Sequence, residues 1–114
     1  MSDQNPQGSA FTVRDLTPQE VAEGLQQGRL LLVDVREPNE TSLERIPGSV
    51  LVPLSAFDPG AIPDPSGRDV VFTCRSGRRS VTASLAAQEQ GFRYASHLAG
   101  GILAWKAAGL PTET

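Results

Sequence analysis

Asp69-Val70-Val71-Phe72-Thr73-Cys74-Arg75-Ser76-Gly77-Arg78-Arg79-Ser80 runs from an apolar stretch into a cationic loop, and a helical pattern begins at Val81. Val70, Val71 and Phe72 follow one another without polar alternation, as in a strand covered on both faces. From Val81 to Gln90 the spacing predicts a helix. Val81 and Leu85 share one face beside small Ala83, Ala86 and Ala87, and Gly91 ends the run. Strand, loop and helix in direct succession are the unit from which α/β domains are assembled.

The same alternation extends in both directions. Leu30 to Val35 is a second uniformly apolar strand and Ser49 to Val52 a third. Upstream of them Thr17-Pro18-Gln19-Glu20 opens a helix, with Thr17 as N-cap, Pro18 at the first helical position and Glu20 completing a capping box. Val21 and Leu25 supply its buried face, Gly28 stops it, and Phe11 to Arg14 precedes it as a short extended stretch. Pro38 and Pro47-Gly48 punctuate the segment between the strands, a short helix or turn falls near Ser55 to Asp58, and Pro59 to Gly67 reads as loop. Tyr94 to Leu98 is the last strand, and Gly100-Gly101 turns the chain into a final helix, Ile102 to Ala108, ended by Gly109 and Pro111. The prediction is an α/β domain with a largely parallel sheet and helices on both faces. Asp34 to Arg36, Cys74 and Gly100 all lie at or just beyond the carboxyl ends of strands, where such sheets bind ligands.

Composition sets the outer limits. The 114 residues, 39% hydrophobic and 20% charged, suit one domain with one core. Residues 1–10 are polar and aperiodic and read as a flexible tail, leaving 11–114 as the domain. A net charge of −3 gives no general reason to expect nucleic acid or an anionic membrane as partner. The N-terminus shows no secretory or transit pattern, and no apolar run approaches the ~18 residues of a membrane helix, so the cytoplasm is the expected compartment. One cysteine forbids an internal disulfide and leaves Cys74 as a buried hydrophobe, an interchain link or a reactive thiol.

The loop around Cys74 favours the last of these. It sets the thiol beside the free N–H groups of a helix N-terminus, and Arg75, Arg78 and Arg79 add three cations. Gly77 lets the backbone turn its amides inward around an anionic atom. A free cysteine ionises near pH 8.5, and such surroundings lower that to roughly 3.5 to 7.5.

At these residues the chain resembles the rhodanese-like single-domain sulfurtransferases, from Thr12 to Pro111. Four motifs carry the likeness: Val33-Asp34-Val35-Arg36-Glu37, Ile46-Pro47-Gly48-Ser49, Cys74 through Ser80, and Gly100-Gly101-Ile102-Leu103-Ala104-Trp105 with Ala108-Gly109-Leu110-Pro111 after it. The resemblance implies a three-layer α/β domain around a largely parallel five-stranded sheet. It implies a double displacement in which Cys74 takes the sulfane sulfur of thiosulfate or another persulfide donor, releases sulfite when thiosulfate is the donor, and passes the sulfur to cyanide, a thiol or a protein acceptor. Neither metal nor organic cofactor is implied. Arg75 and Arg78 would meet the anionic donor, and Ser76, Gly77, Arg79 and Ser80 would complete the cradle; Asp34 and Arg36, by their place at a strand end, read as structural supports beneath the site, with substrate contact as the alternative. Glu40 would partner Arg36.

Related cell-cycle phosphatases and arsenate reductases separate cysteine and arginine by five residues. Here Ser80 holds that sixth position, and Arg79 comes after only four intervening residues, which gives a cradle too small for a tetrahedral phosphate. Thr41, Glu44 and Arg45 stand where the family commonly has an aromatic, a glycine and a histidine. They are also the hints for a second reading, a catalytically inert module that binds a protein partner. His97 could pair with Cys74 in an acyl-transfer or thiol-protease style site, but its strand lies beside the final helix and no motif links the two; Trp105 reads as packing for the last helix, and Gly100-Gly101 as a turn leaving open space above the thiol.

Overall fold

The chain is described over residues 11–114 by a computed structural model; the expected tail over residues 1–10 lies outside the described residues. Strand β1 (Arg14–Leu16) leads into helix α1 (Pro18–Gln26). Thr17 caps α1 as its sequence requires: its hydroxyl accepts the Glu20 N–H at 3.1 Å, and the Glu20 carboxylate accepts the Thr17 N–H at 2.9 Å. The extended stretch expected at Phe11 begins only at Arg14, whose N–H reaches Ala95, because strand pairing, and not β propensity alone, determines where the edge begins.

Strands β2 (Leu30–Asp34), β3 (Val50–Leu51), β4 (Asp69–Thr73) and β5 (Ser96–Leu98) complete a five-stranded, all-parallel sheet in the order β1-β5-β4-β2-β3. Between β2 and β3 lies a short helix, α2 (Pro38–Thr41). Pro38, read in the sequence as punctuation, is its first residue, where a missing N–H costs nothing. Helix α3 (Arg79–Glu89) follows β4, and α4 (Gly101–Ala107) follows β5.

The uniformly apolar strands serve two cores at once. Leu31 and Val33 of β2 and Val70 and Phe72 of β4 join Ala83 and Ala87 of α3 on one face. Their neighbours Leu30, Leu32 and Val71 turn to the other, with Val21 of α1 and Ile102 and Trp105 of α4. Phe72 is fully buried and meets the rings of Phe57 and Tyr94 edge-on at centroid separations of 5.8 and 6.4 Å. Trp105 packs as the sequence suggests, and its indole N–H donates to the Pro111 carbonyl at 2.7 Å.

The order in which strands are added reverses between β2 and β4: β2 is followed outward by β3, whereas β4 is followed by β5 on its opposite side. Loops leaving the carboxyl ends of β2 and β4 therefore diverge, and Asp34 and Cys74 lie at that divergence.

Candidate functional site

Cys74 is the first residue beyond β4, and its side chain is buried. Helix α3 begins at Arg79, two residues earlier than the sequence pattern suggests, so Arg79 and Ser80 belong to its first turn and not to the loop. The physical reason is the sulfur itself. Arg78, the N-cap residue, makes no side-chain capping bond, and the Ser80 N–H points instead at Cys74 Sγ, 3.4 Å away. Gly77 donates its N–H to the same sulfur at 3.1 Å. Its φ of +98° is open to glycine, and a Cβ there would stand 2.9 Å from the Gly100 nitrogen.

Burial pushes the Cys74 thiol up, but the Ser80 hydroxyl and the amides of Ser80, Gly77 and Ser76 outweigh it, and the net direction is down. Of the two expected sources of activation, amides and cations, the amides reach the sulfur directly together with the Ser80 hydroxyl, and Arg79 acts on it across space through its charge. Arg75 and Arg78 are exposed and form no ion pair among the described residues. Arg79 is held by Glu40 through two bonds of 2.7 and 2.9 Å.

That pair overturns a second expectation, that Glu40 partners Arg36. The Arg36 guanidinium is committed to Asp34, at 2.8 to 3.1 Å, and to the Glu44 carbonyl at 2.9 Å. Asp34 and Arg36 are both almost fully buried, and they brace the β2 loop below the site without touching the sulfur. Glu40, carried on α2, also accepts the Glu37 N–H and faces the start of α3. Its Arg79 partner and that amide outweigh burial and hold the carboxyl down at about 2.

Gly100 and Gly101 leave no open space above Cys74. They pack against the loop: the Ile102 and Leu103 N–H groups at the start of α4 donate to the Cys74 and Arg75 carbonyls at 2.9 and 3.1 Å. A Cβ on Gly101 would collide with both carbonyl groups. Arg75 projects beside a cleft of about 260 Å³ between α2 and α4, lined also by Leu43, Glu44, Leu103 and Lys106. Glu44 and Arg45 are bound by the C-terminal part of the chain. Glu44 binds Lys106 and the Thr112 hydroxyl, and Arg45 binds Glu113. Thr41 turns its hydroxyl back to the Pro38 carbonyl.

Sequence reasoning passed over the surroundings of His97. The ring is buried, with Nδ1 2.8 Å from Ser80 Oγ and Nε2 2.7 Å from an Asp15 carboxylate oxygen. Asp15 and His97 are 82 residues apart, and no local pattern announces their meeting.

A buried cysteine that caps the helix following a central parallel strand defines a class of α/β domain built around one sulfur atom. The chain belongs to the rhodanese-like domain family, whose model matches residues 17–108. It is 40% identical over 97 residues to an uncharacterised Synechocystis protein, covering 85% of this chain and 54% of that one, so it spans about half of that relative's length. A protein of Allochromatium vinosum named sulfurtransferase is 40% identical over 82 residues, 72% of this chain and 77% of that one. Among solved structures, a Rhodopseudomonas palustris protein of unknown function, named a possible tyrosine phosphatase, matches with a TM-score of 0.75 at 30% identity, over 89% of this chain and 85% of its own. Among the described residues no helix is long and apolar enough to cross a membrane.

Proposed function

We propose that this protein is a sulfurtransferase that carries sulfane sulfur on Cys74. The observation that supports this most is the reception of one sulfur atom by the Gly77 and Ser80 amides at the head of α3, with the thiol lowered in spite of burial. The Cys74 thiolate attacks the outer sulfur of thiosulfate or of another anionic persulfide donor. A new S–S bond forms, the donor's S–S bond breaks, and its electron pair leaves with sulfite when thiosulfate is the donor. The persulfide so formed is again a single polarisable anion suited to converging N–H groups. An acceptor such as cyanide, a small thiol or a protein thiol then attacks the outer sulfur, and Cys74 leaves as thiolate. Arg75 and Arg78, exposed on the loop, draw the anionic donor, and Arg75 does so from the edge of the cleft. Phosphate chemistry is disfavoured because Arg79, the arginine nearest the phosphatase position, is held by Glu40.

The test is the intact mass of the reduced full chain before and after thiosulfate, with thiocyanate production from cyanide, for wild type and Cys74→Ser. The wild type should gain one sulfur atom and form thiocyanate, and the variant should do neither. Wild-type protein that stays unmodified by thiosulfate and by small persulfide donors refutes the reading and favours the inert binding module. Turnover of an aryl phosphate in place of sulfur loading favours the phosphatase.

A further inference from the structure

His97 comes from β5, Asp15 from β1, Ser80 from the first turn of α3, and Cys74 from the end of β4. In the parallel pairing of β1 with β5, Asp15 lies directly opposite His97, so sheet register fixes this contact. Contacts of 2.7 Å from Asp15 to His97, 2.8 Å from His97 to Ser80 and 3.5 Å from Ser80 to Cys74 make one continuous chain to the sulfur. Ser80, His97 and Cys74 are each at most 4% exposed, so no bulk water competes along the inner part of that chain.

Hydrogen-bond capacity decides the direction. A carboxylate only accepts, so the ring hydrogen of neutral His97 sits on Nε2 against Asp15 and Nδ1 becomes an acceptor. Ser80 then donates to Nδ1, and its oxygen is left to accept from the Cys74 thiol. Every hydrogen in the neutral chain points away from sulfur. With a thiolate the order reverses: Nδ1–H donates to Ser80, and Ser80 donates to the sulfur. The two arrangements differ in hydrogen positions while the heavy atoms stay in place.

We propose that Ser80, His97 and Asp15 form a relay that takes up the Cys74 thiol proton, with His97 as the positioning residue that stores it. The Cys74 S–H bond breaks and its electron pair remains on sulfur. Ser80 Oγ takes that proton and releases its own to His97 Nδ1. The imidazolium that results is held against the Asp15 carboxylate through Nε2–H, and no external reactant is consumed. This deepens the sulfurtransferase reading, on whose need for a thiolate its purpose rests. Among the described residues, the titratable groups facing the ring are Asp15 and, through Ser80, Cys74. Phe72, opposite His97 on β4, is apolar, and Gly77 and Gly100 close the loop side without charge.

The experiment is the rate of Cys74 alkylation by iodoacetamide, followed by intact mass from about pH 5 to about pH 10, which spans thiol ionisation. The variants are Asp15→Asn, His97→Asn, Ser80→Ala and Ser80→Thr, each in the full chain, with thiosulfate loading measured in parallel. Asp15 is 75% exposed, so Asp15→Asn leaves packing intact and remains informative where a buried variant fails to fold. Its inflection should move upward, with the rate near neutral pH falling about two- to fivefold. His97→Asn and Ser80→Ala should fall about tenfold, and Ser80→Thr, which keeps the hydroxyl, should hold the wild-type inflection. A purely structural His97 would lower the yield of folded protein without moving the inflection. Coincident inflections for Asp15→Asn, any folded His97→Asn and wild type overturn the relay. Shifted inflections with no sulfur loading in the wild type sustain the relay and refute the sulfurtransferase reading instead.

Discussion

Replacing Glu40 with Gln tests how α2 is fastened to the head of α3. The carboxylate binds Arg79 at 2.7 and 2.9 Å and accepts the Glu37 N–H at 2.9 Å, and its ionisation falls from an ordinary 4.5 to about 2. Taken at full value that difference amounts to about 3 kcal/mol at neutral pH. The Arg79 side chain is 35% exposed and the Glu40 side chain 25%, however, so water screens the pair, and a loss of about 1–2 kcal/mol is expected. The sign over pH follows from the depressed carboxyl. Its stabilisation is complete above the unfolded-state value near 4.5 and drains away as pH falls toward about 2. Urea unfolding of wild type and Glu40→Gln at a series of pH values should therefore give curves that are furthest apart at neutral pH and have lost more than half of their separation by about pH 3. Two results refute the reasoning: a neutral-pH difference below about 0.5 kcal/mol, or a separation that does not change with acidification.

Other substitutions probe the frame below and above the sulfur. Asp34→Ala leaves Arg36 buried without its carboxylate and should cost about 3–5 kcal/mol in urea unfolding; a loss under about 1 kcal/mol would show that water reaches Arg36. Gly101→Ala forces a side chain into φ +61° and against the Cys74 and Arg75 carbonyls. Backbone strain alone should lower stability by about 1–3 kcal/mol, and sulfur loading should slow because those carbonyls anchor the loop; wild-type stability and loading together would remove the steric argument.

Much of the architecture was legible because the signals are local. Val70, Val71 and Phe72 lack polar alternation since both faces of β4 are covered, and Thr17 and Glu20 satisfy amides three residues apart. Cys74 was legible for the same reason, as its strand, loop and helix are contiguous. Helix α2 was missed because four residues beginning with Pro38 carry no periodicity. The partner of Arg79 was not legible because charge in a sequence has no direction, and only the placement of Glu40 on α2 shows where that guanidinium binds.

From its sequence alone, then, the chain determines an α/β domain with one cysteine at the head of a helix, since hydrophobic period, capping and turn residues act over a few positions. Only the tertiary structure decides which groups reach the sulfur and which do not. Hydrogen bonds act over about 3 Å, and the partners brought within that reach of one another, such as Asp15 and His97 behind Ser80, are selected by strand order and register between segments far apart in the chain.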